Sequence, residues 1–171
     1  MKFINYQHRK EVDLFKIVSD QKFQYGSDLK VHIGTDSTVS GDFTLYFTVV
    51  AFRHSKTGVH FVFSKEKVQR FRNENGKPDS FTRLWRECKL SMDVAQMLVE
   101  RGLLSKSDII IELDYNNLIK TVSTPLISST KGWAIGEGYQ CLVKYKENAQ
   151  RPDQWEDQIA VKAANHLCLG V

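Results

Sequence analysis

Cysteine is scarce. Cys88, Cys141 and Cys168 are three of 171 residues, an odd number without the paired spacing of a metal site. That excludes a disulfide framework and a zinc finger, and leaves three small apolar side chains of a reducing compartment. Proline is rarer than usual, with three residues, and the ten glycines are too dispersed to form a linker or a low-complexity tract. No internal repeat stands out. No stretch approaches the roughly 18 consecutive apolar residues of a membrane helix. The opening Met-Lys-Phe-Ile-Asn-Tyr-Gln-His lacks the apolar run of a secretory signal, so a cytoplasmic protein without membrane contact is expected. Neither sign of charge dominates: a net +4 with 26% charged residues is mildly basic, compatible with an anionic partner but no proof of one. A Walker sequence, a nucleophile elbow and a cysteine–histidine pairing are all missing, and Gly132–Gly138 does not precede a helix as a phosphate loop must.

What is present is a clear order of periodicities. A short amphipathic pattern over residues 10–20 predicts a leading helix. Leu29, Val31 and Ile33 alternate with Lys30 and His32 at the strand period, a run that stops at Gly34-Thr35-Asp36-Ser37. Residues 43–53 are rich in aromatic and β-branched types, and Val59–Phe63 begins a third strand after a short turn. Such short links imply an antiparallel meander. From Ser80 to Arg101 the period becomes helical, through Phe81, Leu84, Trp85, Cys88, Met92, Ala95 and Val99. Ile109, Ile110, Ile111 and Leu113 then form a nearly continuous apolar run ending at Asp114, as in a central strand covered on both faces. A helix over 116–128, a glycine bend at Gly136-Glu137-Gly138, a strand over Tyr139–Lys144 and a last helix from about 153 to 168 complete the chain. The expected fold is α/β: a mixed five-stranded sheet, three meander strands followed by alternating helices and strands, flanked by helices. It is expected to form one domain over residues 1–171, with a helical extension over about residues 1–28.

The acids that interrupt apolar elements are the informative ones. Asp36 and Asp114 end two strands that, if adjacent and parallel, present both carboxylates at one sheet edge, the usual place for sites in α/β folds. Glu87 lies beside Leu84 and Ser91 on the flank of the long helix's apolar stripe, whereas Asp79, Asp93 and Glu100 point away. On the last helix, an apolar arc of Ile159, Ala160, Ala163, Ala164 and Leu167 puts Asp157 at its edge, Glu156 nearer its centre and Asn165 on the far side. Clustered acids repel and raise one another's pKa values unless a cation neutralises them. Hard oxygen donors suit Mg²⁺ or Mn²⁺, and a pair of such ions can clamp the attacking and leaving oxygens of a phosphodiester. Taken singly, a strand-end Asp is more often a turn or cap and a helix-flank Glu a solvated charge; their joint placement makes the case.

Four segments resemble, in the same order, a ribonuclease H-like family of largely uncharacterised bacterial and phage proteins. They are Val31-His32-Ile33-Gly34-Thr35-Asp36-Ser37, Leu84-Trp85-Arg86-Glu87, Ile111-Glu112-Leu113-Asp114-Tyr115-Asn116, and Gly132-Trp133-Ala134-Ile135-Gly136-Glu137-Gly138-Tyr139. The resemblance implies a ribonuclease H-type fold with Asp36, Glu87 and Asp114 at the positions of its acidic site. It also implies a fourth carboxylate on the last helix, where the chain departs from the pattern. One register places Ala164-Asn165-His166 there, and another places Asp157-Gln158-Ile159-Ala160; the helix face favours Asp157.

The expectation is a nuclease dependent on two Mg²⁺ or Mn²⁺ ions, with Asp36, Glu87, Asp114 and Asp157 as catalytic ligands. Arg83, Arg86 and Lys89 would contact nucleic acid: RNA, an RNA/DNA hybrid or structured DNA. The rivals are a catalytically weak or inactive module of the same fold that binds nucleic acid or a protein, and a metal-dependent transferase or exonuclease.

Overall fold

A computed structural model of the chain describes residues 1–54, 58–115, 120–144 and 158–170. Strands β1 (Phe3–Asn5) and β2 (Glu11–Val12) come first, followed by helix α1 (Leu14–Tyr25). The meander β3 (Leu29–Ser40), β4 (Phe43–His54) and β5 (Gly58–Gln69) leads into the long helix α2 (Ser80–Glu100). Strand β6 (Ile109–Asp114), helix α3 (Lys120–Gly136), strand β7 (Gln140–Lys144) and helix α4 (Ala160–Leu169) complete the order. The sheet has seven strands, in the order β2-β1-β5-β4-β3-β6-β7. The expected five-stranded sheet is therefore extended by β1 and β2, which pair antiparallel beside β5. At three and two residues these strands are too short to show a period, and edge pairing holds them.

Strand β3 runs straight through Asp36 to Ser40, past the end expected at residues 34–37. It pairs antiparallel with β4 along its whole length, but parallel with β6 only from Val31 to Gly34. Asp36 thus projects beyond the β6 pairing while β4 still holds its backbone. Helices α1, α2 and α3 cover one face of the sheet, over Val31, Ile33, Phe52, Ile109 and Ile111. Helix α4 covers part of the other face, over Leu45, Phe47, Val49 and Ala51.

Local chemistry sets the helix starts. Asp13 caps α1 through Phe15 N and Lys16 N, and Asp79 caps α2 through Thr82 N. Helix α3 passes Pro125 and continues to Gly136, eight residues past the end expected at residue 128. Leu126, Thr130 and Ala134 explain this: they stand at helical spacing and are all fully buried. Trp133 on this helix stacks on Trp85 of α2 at 5.7 Å and 13°, and Trp85 stacks in turn on the exposed Phe81. The helix expected from residue 153 is described from Ala160 onward. No helix among the described residues is long and apolar enough to cross a membrane.

Candidate active site

Asp36 and Asp114 share a sheet face. Side chains alternate along a strand, so Ile33 and Ile111 enter the core under α2 while Gly34, Asp36, Glu112 and Asp114 face the side that α4 occupies. Glu87 reaches the same edge from α2. Its carboxylate, buried at 4% exposure, accepts a hydrogen bond from Ser37 Oγ at 2.5 Å. Arg83, one turn earlier, donates to the carbonyl oxygen of Ser37 at 3.2 Å and to its Oγ at 3.1 Å. Buried hydroxyls fix α2 against the sheet: Thr35 bonds Ser91 at 2.8 Å and Thr48 at 3.1 Å.

Electrostatics tie these groups together. Burial pushes the Asp36 carboxyl upward; the Ser37 N–H opposes this, Asp114 adds to it, and Arg83 and the nearby Asn165 amide oppose it. Burial also pushes Glu87 well above its ordinary range, with the charges of Asp36 and Asp114 adding to the effect. Burial raises the Cys168 thiol in the same way, and the charges of Asp36 and Glu87 reach it. Three carboxyl groups are therefore within electrostatic reach of one another. Among the described residues no three His, Cys, Asp or Glu side chains are gathered closely enough to hold an ion as they stand.

The family model described as Ribonuclease H-like matches residues 14–149. The chain belongs to the ribonuclease H-like family. Its mixed sheet, with β3 and β6 parallel neighbours, agrees with a ribonuclease H-like fold, which is a nuclease-type fold. A search of curated proteins found no match. The β1–β2 hairpin and α4 lie outside the matched span, so both ends of this ribonuclease H-like chain must be read from their own residues.

Asn165 requires a correction. The helix arc drawn from the sequence turned it away, yet its side-chain amide is near enough to Asp36 to hold that carboxyl's pKa down. The buried residues of α4 are Ala160, Val161, Ala164, Leu167 and Cys168. Including Val161 and Cys168 in place of Ile159 and Ala163 rotates the arc by roughly 70°, at about 100° per residue, and brings Asn165 to its flank. Asp157 lies outside the described residues.

Sequence reasoning missed Glu112. It is fully buried, with Oε1 at 2.6 Å from His32 Nδ1 and accepting from Ile159 N at 2.8 Å, while Oε2 accepts from Val161 N at 2.9 Å. One carboxylate thus satisfies backbone donors at the start of α4, where no side-chain cap is present. Gly34 makes room beside it: a Cβ there would lie 2.7 Å from Val161 Cγ2. The available signal was an acid inside the apolar run of β6, with His32 and Gly34 facing the same side. Of the three expected cations, Arg83 stands at the site. Arg86 bonds Glu66 at 2.7 Å, and Lys89 bonds Asp93 at 2.6 Å.

Proposed function

We propose that this chain is a nuclease that hydrolyses phosphodiester bonds and depends on a divalent cation. The observation that carries the reading is the placement of Asp36 on β3 and Asp114 at the end of its parallel neighbour β6, with Glu87 reaching them from α2 and its carboxyl pushed upward by burial and by both their charges. Burying carboxyl groups within reach of one another is unfavourable, and a hard cation relieves it. The donor set is all oxygen, which suits Mg²⁺ or Mn²⁺, with two ions expected. Asp36, Glu87 and Asp114 would hold the cations, with Asp157 as a fourth carboxylate and the Asn165 amide oxygen as a neutral donor beside Asp36. A cation bound there would supply Lewis acidity toward the phosphodiester.

The chain's own residues have separate tasks. Arg83 and Asn165 favour the ionised form of Asp36. Ser37 orients Glu87 through its hydroxyl. Glu112 and Gly34 seat α4 so that Asn165 meets Asp36. The Arg83 charge also reaches both Asp36 and Glu87, so it is placed to meet a phosphate. The nucleic acid, whether RNA, hybrid or branched DNA, is not fixed by this arrangement.

The test is calorimetric titration of Mg²⁺ and Mn²⁺ into wild type and Asp36→Asn, followed by a cleavage screen on labelled RNA, hybrid and branched DNA. Metal binding and cleavage should both be lost in the variant, with its thermal unfolding unchanged. Cleavage retained by Asp36→Asn refutes the reading. Salt-sensitive binding without turnover in wild type would instead identify a binding module.

A further inference from the structure

Among the described residues, helix α4 leaves part of its sheet face open. Beyond its C-terminal end lies a pocket of about 410 Å³, whose floor is Phe47 and Phe63 and whose walls include Tyr6, Arg9, Lys65 and His166. A volume of several hundred cubic ångströms suits a small aromatic ligand. Two features give it a chemical preference. The first is aromatic: Tyr6 is half-buried and packs on Phe61 at 4.6 Å, with the Arg9 guanidinium 4.7 Å from the Tyr6 ring centre. The second is positive charge: Arg9 and Lys65 are exposed, and neither has a carboxylate partner among the described residues.

Arg9 is held in place at a conformational cost. Its φ of 54° is the one left-handed value at a non-glycine residue among the described residues. The turn enforces it: Asn5 Oδ1 accepts from Gln7 N at 2.9 Å and His8 N at 3.0 Å, and Arg9 N donates to Asn5 O at 2.9 Å. Such strain persists where the surrounding structure over-determines it, often at ligand clamps. The pocket is also in line with the carboxylates. Asp36 is directly opposite Phe47, and Phe47 is directly opposite Lys65, so the three share one sheet face across adjacent strands. Two strand spacings of about 4.8 Å put Lys65 roughly 10 Å from Asp36, a distance that a nucleotide step or two covers.

We propose that this pocket binds one nucleotide unit of a single-stranded nucleic acid, its base on Tyr6 in place of the Arg9 guanidinium, which moves with Lys65 onto the phosphates. The inference rests on the nuclease reading for the direction of the strand, since it places this unit beside the phosphodiester presented to Asp36. The contacts are base-tolerant, because every base offers a ring face to stack on.

The test is fluorescence anisotropy of a short fluorescein-labelled oligothymidylate in EDTA, over a salt series, with wild type, Tyr6→Leu and the double variant Arg9→Gln, Lys65→Gln. Tyr6→Leu should weaken binding by about 5- to 150-fold, the loss of one stacked base. The double variant should lower the salt slope by about 1.4, or 0.7 for each lost phosphate contact on a single strand. Its substitutions are at exposed positions, so it carries the test if Tyr6→Leu fails to fold. Wild-type affinity and slope in the double variant, or no binding by wild type, overturn the pocket. Cleavage by wild type with Mn²⁺ is measured on the same strand: cleavage with indifferent pocket variants refutes the pocket alone. Pocket-dependent binding with no cleavage of this strand or the screened substrates refutes the nuclease reading alone.

Discussion

Replacing Glu112 by alanine removes the acceptor shared by three donors: His32 Nδ1, Ile159 N and Val161 N. Each buried donor left without a partner costs about 1–3 kcal/mol. The three do not add fully, because the shortened side chain leaves room for water to reach some of them. Three such donors, partly relieved, put the loss for Glu112→Ala at about 3–5 kcal/mol. For a chain of this length that lowers Tm by about 6–20 °C. Glu112→Gln should fall between, since its amide oxygen keeps one acceptor while its NH₂ group confronts a donor. Urea denaturation of the two variants gives the magnitude, and hydrogen exchange gives the location. Amides of α4 should lose protection first, while those of β4 and β5 follow global unfolding. A loss below about 1 kcal/mol, with α4 still protected, would refute the latch that this carboxylate forms.

The same seat is tested from the other side by Gly34→Ala, whose new Cβ would meet Val161 at 2.7 Å. Overpacking of this kind costs about 1–3 kcal/mol, and an unchanged Tm would show that α4 can shift freely. Glu87→Gln probes the buried carboxyl through pH. Because the folded chain raises the Glu87 pKa above its ordinary 4.5, the stability tied to its protonated form is full below that value. It is lost as pH rises through the raised pKa. The neutral glutamine does not titrate, so in EDTA its urea midpoint should gain on wild type as pH rises above 4.5; a constant difference refutes the burial argument. Asn165→Asp adds a carboxylate beside Asp36. It should tighten Mn²⁺ binding by about tenfold, or about 1.4 kcal/mol, and lower metal-free stability; calorimetry showing unchanged affinity would remove Asn165 from the site.

The legible parts of the fold were those with long, regular periods. The apolar run Ile109–Leu113 marked an interior strand, paired on both sides, and the twenty-one residues of α2 carried their stripe without interruption. Asp36, Glu87 and Asp114 could be picked out because each breaks or borders such a pattern. What escaped had no period of its own. Strands β1 and β2 exist through pairing at the sheet edge, and α3 crosses Pro125 because tertiary burial of Leu126, Thr130 and Ala134 outweighs one missing N–H. Asn165 was misplaced because alanines dominate α4 and define its buried side weakly; Val161 against Gly34 decides the rotation. Glu112 was hidden because periodicity detects apolar faces, and its role is to cap a helix distant in sequence.

The stacked indoles of Trp85 and Trp133 also make the molecule self-reporting. At 5.7 Å and 13° the two rings are close enough for their excited states to couple, so the circular dichroism of the indoles should depend on their separation and angle. One indole belongs to α2 and the other to α3, and Glu87 lies two residues beyond Trp85 on the same helix. Any rearrangement of α2 that accompanies ion or strand binding would alter that signal without a label. The optical response of the native chain can therefore follow events at the carboxylates, including in variants too inactive to assay by turnover.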